Sequence, residues 1–137
     1  MYSIGELSRR TGVKVPTIRY YEQMGLLAAA GRTEGNQRRY DRAGLERLSF
    51  IRHARDLGLS IEAIRELADL SARPDAPCAD AHRIARAHRS AIRARIDKLT
   101  RLEAELGRIE TVCDADTVGE CRIIEALADH GLCAGEH

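Results

Sequence analysis

Between Cys78 and Cys113 the chain has no proline, and no glycine before Gly107. Apolar residues recur through this stretch as Ile84, Ile92, Ile96, Leu99, Leu102, Leu106 and Ile109, at helical spacings. The pattern predicts a single helix of roughly 33 residues, about 50 Å long at about 1.5 Å per residue. Ile92, Leu99, Leu106 and Cys113 stand seven apart, with Ile96 on the companion position of a heptad seam. Arg93, Arg95, Lys98, Arg101, Glu103, Glu105 and Arg108 are expected to keep the other faces polar. A compact domain cannot cover a helix of that length, so it needs a partner, most simply a second copy of itself.

A length of 137 residues suits one small domain plus an extended element. One Phe, four Tyr and no Trp leave a core of Leu, Ile, Val and Ala, which suits an all-α chain. The net charge of +1 hides an uneven distribution. Residues 1–60 hold eleven Lys or Arg against six Asp or Glu, and residues 61–137 hold eleven against fifteen. The front of the chain is therefore the part suited to nucleic acid. No apolar run approaches membrane-spanning length, and Met1 leads almost directly into a polar helix rather than a signal peptide, which predicts a cytoplasmic protein with no membrane partner. In that compartment Cys78, Cys113, Cys121 and Cys133 are read as thiol or metal chemistry before structural disulfides.

From the start of the chain, Ser3 and Glu6 form an S-x-x-E capping box for a helix that Gly12 closes. Pro16 is placed to open a second helix, which carries Thr17, Ile18, Arg19, Tyr20, Tyr21 and Met24 and stops at Gly25. Two short helices joined by a glycine-containing turn are a helix-turn-helix candidate. Gly35-Asn36 within RTEGNQRRY predicts a tight hairpin whose Arg38, Arg39 and Tyr40 make a basic wing. Asp41 is expected to cap a third helix with the face Leu45, Leu48, Ile51, Ala54 and Leu57, closed by Gly58. Ser60 is expected to cap a fourth with Ile61, Ile64, Leu67 and Leu70. The segment with Pro74 and Pro77 is a linker; after the long helix come a polar loop from Cys113 to Cys121, a short helix around Ile123, Ile124 and Leu127, and a tail. The expected domains are 1–71, a linker at 72–78, the long helix at 79–112, and a loop, short helix and tail at 113–137.

The order of parts, with IRYYEQMGLL at Ile18–Leu27, an arginine-rich wing, a long helix and a cysteine loop, resembles the MerR family of metal-responsive transcriptional regulators, in its divalent-metal branch. The resemblance covers nearly the whole chain. It implies a mainly α fold: a winged helix-turn-helix DNA-binding domain, then a long antiparallel coiled-coil dimerisation helix, then a C-terminal metal-binding loop. It further implies a homodimer on a palindromic operator in promoter DNA, working with RNA polymerase, and no enzymatic activity. Carried onto this sequence, the DNA-facing residues are Thr17, Arg19, Tyr20 and Tyr21 of the second helix and Arg32, Arg38, Arg39 and Tyr40 of the wing. Arginine suits phosphate and guanine, and a tyrosine hydroxyl reaches phosphate without burying a charge. Adjacent helical residues point about 100° apart, so Tyr20 and Tyr21 cannot both face one surface. Family members usually carry an aromatic before the wing arginine; here Gln37 stands there, and Arg39 is expected to make up phosphate contact.

Thiolates select soft ions. Cys113 and Cys121 bracket seven residues including Gly119, a loop long enough to bring both sulfurs to one ion. Cys78 lies a helix length away in its own chain, but an antiparallel partner brings its Cys78 beside the loop. Within the resemblance, a cysteine at this position accompanies divalent ions, and the metal ligands implied are Cys78, Cys113 and Cys121. The expected effector is Zn, Cd, Pb or Hg, with Cu(I), silver or gold as the alternative suggested by the loop spacing. Cys133, His130, His137 and Asp116 are candidate further ligands, whereas His53, His82 and His88 are expected at the surface. A thiol redox sensor is the rival from another class; the absence of C-x-x-C and of a βαβ context stands against it.

Overall fold

The computed structural model describes residues 1–112, 114 and 116–129. Cys113, His130, Cys133 and His137, all named above, lie outside the described residues. The chain divides into two compact units, Met1–Ile84 and the remainder from Ala85.

The first unit opens with a two-residue strand, β1 (Tyr2–Ser3), that runs straight into helix α1 (Ile4–Thr11). Ser3 serves both elements: it pairs with Arg39 across the sheet, and its Oγ accepts the Glu6 N–H at 3.1 Å as the N-cap. Gly12 ends α1 with φ of 76° and returns its N–H to the Ser8 carbonyl, a left-handed stop that glycine adopts freely. Three residues later α2 (Val15–Gln23) begins, with Pro16 in its second place rather than its first. Val13 in the turn is buried, and Thr11 below it donates to the Leu7 carbonyl while accepting the Val13 N–H, so the corner is held from inside.

The wing is β2 (Gly31–Arg32) and β3 (Arg38–Tyr40), joined by a turn in which Asn36 takes φ of 62° and Thr33 exchanges bonds with Gln37 and Asn36. The sheet order is β1-β3-β2, antiparallel throughout, with Tyr2 opposite Tyr40 and Arg32 opposite Arg38. The strand β1 was not foreseen, since two residues are too few for an alternation to register.

Helices α3 (Arg42–Asp56) and α4 (Ile61–Ser71) are capped by Asp41 and Ser60 as their sequences predict. Leu7, Ile18, Leu26, Tyr40, Leu48, Ile51 and Ile64 are fully buried between them and the first two helices. One expectation is corrected: Leu57 does not continue the apolar face of α3 but stands 67% exposed at its C-cap. The chain turns at Gly58 (φ 84°), and Leu59 enters the core instead, its N–H on the Ala54 carbonyl.

Four arginines from α3 and α4 bracket backbone carbonyls, two at helix C-termini and two in the turns beyond them. Arg52 donates to the Thr11 carbonyl at the end of α1, and Arg65 donates to the Met24 carbonyl at the end of α2. Arg47 donates to the Leu26 carbonyl at 2.9 Å and Arg55 to the Leu59 carbonyl at 2.9 Å. Cationic donors at carbonyl-rich helix ends satisfy orphan acceptors and oppose the dipole.

Helix α5 (Ala79–Thr111) has 33 residues with Asp80 in its first turn. Ile84, near its start, is buried in the core cluster of the first unit. In the second unit α5 is followed by a 3-10 turn at Val118–Glu120 and by α6 (Arg122–Ala128). Ile109 and Ala126 are buried there, while Ile124 and Leu127 of the predicted apolar helix are exposed. No described helix is long and apolar enough to cross a membrane.

A Cβ at position 12 would collide with the Arg52 guanidinium and would sit on a left-handed backbone. Gly12→Ala is therefore expected to lose about 1–3 kcal/mol in urea unfolding. Gly31→Ala, where nothing lies within 4 Å, is expected to change stability by no more than about 0.5 kcal/mol.

Candidate nucleic-acid interface and metal-ligating residues

Helix α2 is two-faced. Ile18 and Tyr21 point into the core, whereas Pro16, Arg19, Tyr20 and Gln23 are exposed and Thr17 is half-buried. The rings of Tyr20 and Tyr21 touch, with centroids 5.9 Å apart, but their exposures are 45% and 6%. Of the two adjacent tyrosines, Tyr21 is thus the packing one, and its expected place on a DNA-facing surface is corrected.

The wing differs from expectation in the same way. Tyr40 is fully buried, and its hydroxyl donates to Glu22 Oε1 on α2. Arg38 is only partly exposed, with Nε 2.8 Å from the other oxygen of the same carboxylate. Tyr40 therefore cannot present its hydroxyl to a phosphate, and Arg38 is anchored to α2 along one edge. What Tyr40 and Arg38 do instead is fix the wing against α2 through Glu22. Arg32 is exposed and braced at the hairpin tip, its Nη1 donating to the carbonyl and side-chain oxygens of Asn36 at 3.3 Å each. Arg39 is half-buried on the central strand. The side chains of Lys14, Arg19 and Arg39 make no ion pair or hydrogen bond among the described residues, which leaves their charge available. Gln37 is exposed.

Two groups of residues escaped the sequence reading. Glu22 is the only acid between Glu6 and Glu34, and that isolation in a basic stretch was the available signal for a half-buried carboxylate hub. Gln23 lies four residues from Arg19 and three from Tyr20 on the exposed face of α2, and Lys14 is exposed at the helix N-cap.

Of the thiols, Cys78 is exposed in the residue before α5, and its carbonyl accepts the His82 N–H at 3.0 Å. Cys121 is half-buried at the N-cap of α6. Asp116 is exposed in the loop, His53 and His82 are exposed and His88 is half-buried. Among the described residues no three of His, Cys, Asp and Glu come together as a ligand cluster. Cys78 and Cys121, the two sequence-predicted thiol ligands that are described, flank α5 in sequence.

Residues 2–70 match the family model described as MerR HTH family regulatory protein, and residues 45–109 match one described as MerR, DNA binding. The HTH-type transcriptional regulator ZntR of Escherichia coli K12 is 40% identical over 130 residues, covering 93% of this chain and 92% of that protein. The transcription regulator PbrR691 from Ralstonia metallidurans CH34, solved in complex with lead(II), superposes with a TM-score of 0.84 at 39% identity, covering 93% of this chain and 99% of that one. The dual function regulator MerR from Bacillus megaterium MB1, solved with mercury(II), gives 0.69 at 30% identity, covering 93% and 100%.

If Glu22 joins Tyr40 and Arg38 as one unit, the costs of cutting it are not additive. Tyr40→Phe is expected to lose about 1–2 kcal/mol and Glu22→Gln about 1–3 kcal/mol in urea unfolding. The double variant is expected to fall short of their sum by about 0.5 kcal/mol or more, and strict additivity would refute the shared unit.

Proposed function

The chain belongs to the MerR family of helix-turn-helix regulatory proteins, and from that premise we propose that it is a metal-responsive transcriptional regulator sensing a soft divalent ion, Zn, Cd, Pb or Hg. It acts as a homodimer in the cytoplasm, by binding rather than by catalysis. The DNA face comprises Thr17, Arg19 and Tyr20 of α2, with Arg32 and Arg39 of the wing; Lys14 and Gln23 extend it. Tyr21, Arg38 and Tyr40 position that face. The observation that carries the reading is the placing of thiols on both flanks of α5. Cys78 precedes its first residue, and Cys113 and Cys121 follow its last.

The length of α5, about 50 Å, keeps Cys78 from meeting Cys113 and Cys121 within one chain. Two chains running in opposite directions bring Cys78 of each to the loop of the other, which makes two equivalent sites of three thiolates. Three thiolates around a 2+ ion leave one negative charge, the same residue that two thiolates leave around a 1+ ion, so the third sulfur suits the divalent class. Cys133, His130, His137 and Asp116 are the groups from which zinc could draw a fourth ligand.

The energy for switching is the difference in ion affinity between two dimer conformations on the same operator, one that holds the promoter unproductively and one that distorts it so that RNA polymerase engages. A swing from about 1% to about 99% in the active form needs an ion bound about 10⁴-fold more tightly by that form, which a preorganised set of thiolates can supply.

Two measurements test the reading. In a promoter reporter, Cys113→Ser, Cys121→Ser and Cys78→Ser are each expected to abolish induction by Zn, Cd, Pb and Hg while gel shifts on the operator persist; retained induction in the Cys113→Ser and Cys121→Ser proteins would sink the assignment. If Cys78→Ser abolishes divalent induction yet keeps a response to Cu or Ag, its role in selecting the ion class is established. Separately, Arg19→Ala is expected to weaken operator binding about tenfold and to lower the salt dependence by about one counterion, with thermal stability unchanged.

A further inference from the structure

Besides the row Ile92, Leu99 and Leu106, the same heptads of α5 carry a companion row: Arg89, Ile96, Glu103 and Glu110. The two rows are three and four residues apart and share one helix face. Glu103 therefore belongs to the seam, not to the polar face where the sequence reading put it. Ile92, Ile96, Leu99 and Leu106 stand 41–61% exposed in the single chain, and Arg89, Glu103 and Glu110 are exposed beside them. None of these three charges has an opposite charge three or four residues away, and none is paired through its side chain among the described residues. Glu105, off the seam, is different, for it is held by Arg108 at 2.8 Å.

We propose that Arg89, Glu103 and Glu110 select the direction in which two copies of α5 pair, and with it which chains this one accepts. The inference rests on the homodimer reading above and deepens it. In a parallel pair, equivalent positions face one another across the axis. Arg89 would then meet Arg89, Glu103 would meet Glu103 and Glu110 would meet Glu110, three like-charge layers out of four in the companion row.

In an antiparallel pair the companion row faces the other row of the partner. Setting Ile96 of each chain against Leu99 of the other places Arg89 opposite Leu106 of the partner subunit. Glu103 and Glu110 of the partner subunit then lie about one turn to either side, a step of about 5 Å that an arginine side chain spans. The two-fold axis repeats the arrangement, so each dimer has two such clusters.

The bulk charge of the helix runs the same way. Residues 79–95 hold five arginines and one acid, whereas residues 96–111 hold four acids and three bases. Attraction in one direction is matched by repulsion in the other, which is how charged seam positions discriminate between partners. A helix with the same apolar row but no acid at positions 103 and 110 would leave Arg89 unpaired against leucine.

The test is a charge exchange in the full-length protein, read as the dimer dissociation constant by sedimentation equilibrium. Arg89→Glu and the pair Glu103→Lys with Glu110→Lys are each expected to raise that constant about tenfold, and less in high salt. All three changes in one chain are expected to return it to within about twofold of the parent, since the exchanged charges again meet their opposites. That recovery also shows that the single exchanges had not simply unfolded the chain. A parent that is dimeric yet indifferent to Arg89→Glu, or a triple exchange with no recovery, overturns this inference alone. A parent that is monomeric at micromolar concentration overturns the homodimer reading and this inference with it.

Discussion

The carboxylate of Glu22 is the constraint on which the front of the molecule depends. It accepts a hydrogen bond from the hydroxyl of a fully buried tyrosine, Tyr40, on one oxygen and forms an ion pair with the guanidinium of Arg38 through the other. A half-buried carboxylate that lost these partners would keep little water in exchange, so parting α2 from β3 leaves a polar group poorly satisfied as well as breaking the contacts themselves. The consequences spread through the sheet. β3 pairs with β1, β1 continues into α1 through the Ser3 cap, and α1 turns into α2 at Gly12. The wing, the first helix and the second helix are thereby joined in a closed circuit. Anything that the exposed face of α2 and the hairpin tip both touch meets them at a fixed separation.

A second economy is in the arginines. The first 60 residues hold eleven basic side chains, and a charge count alone suggests that all of them are free to attract a polyanion. Arg47, Arg52 and Arg55 instead close helix ends or a turn, and Arg38 is committed to Glu22. Arg10 lies 4.9 Å over the ring of Tyr2. The charges left without such duties include Lys14, Arg19 and Arg39, which flank or lie within the two elements that the Glu22 circuit holds in place.

Much of the architecture was legible because caps and periodicities state it locally. Ser3, Asp41 and Ser60 precede their helices, Gly12, Gly25 and Gly58 end them in left-handed conformations, and Gly35-Asn36 marks the hairpin. What stayed hidden depended on contacts between residues far apart in the chain. Tyr40 has the same composition-level signature as a DNA-facing tyrosine, and only its pairing with a carboxylate 18 residues earlier reveals it as core. Leu57 continued the spacing of α3 one step past where the chain turned, and Leu59 took the seat. β1 is two residues long and exists because β3 offers it an edge. For the metal ligands, the sequence names more residues than the described structure holds, and their assignment as Cys78, Cys113 and Cys121 is the proposal that the family resemblance implies.

That spacing has a thermodynamic consequence for the proposed sensor. If each ion is bound by thiolates from two chains, ion binding and dimerisation are linked, and an ion that binds only the dimer stabilises it by mass action. A regulator that must occupy its operator before the ion arrives cannot depend on that contribution; α5 has to hold the dimer unaided. Yet its companion row gives three of four positions to charge, where isoleucine would hold more strongly. The loss of apolar contact is understandable as the cost of direction, because only antiparallel chains bring Cys78 to the partner's loop, and a parallel pair held by a wholly apolar seam would gather four distal thiolates at one end and strand two at the other. On this view the seam charges and the thiols belong to one device, in which the helix accepts a weaker interface so that the ion sites can form at all.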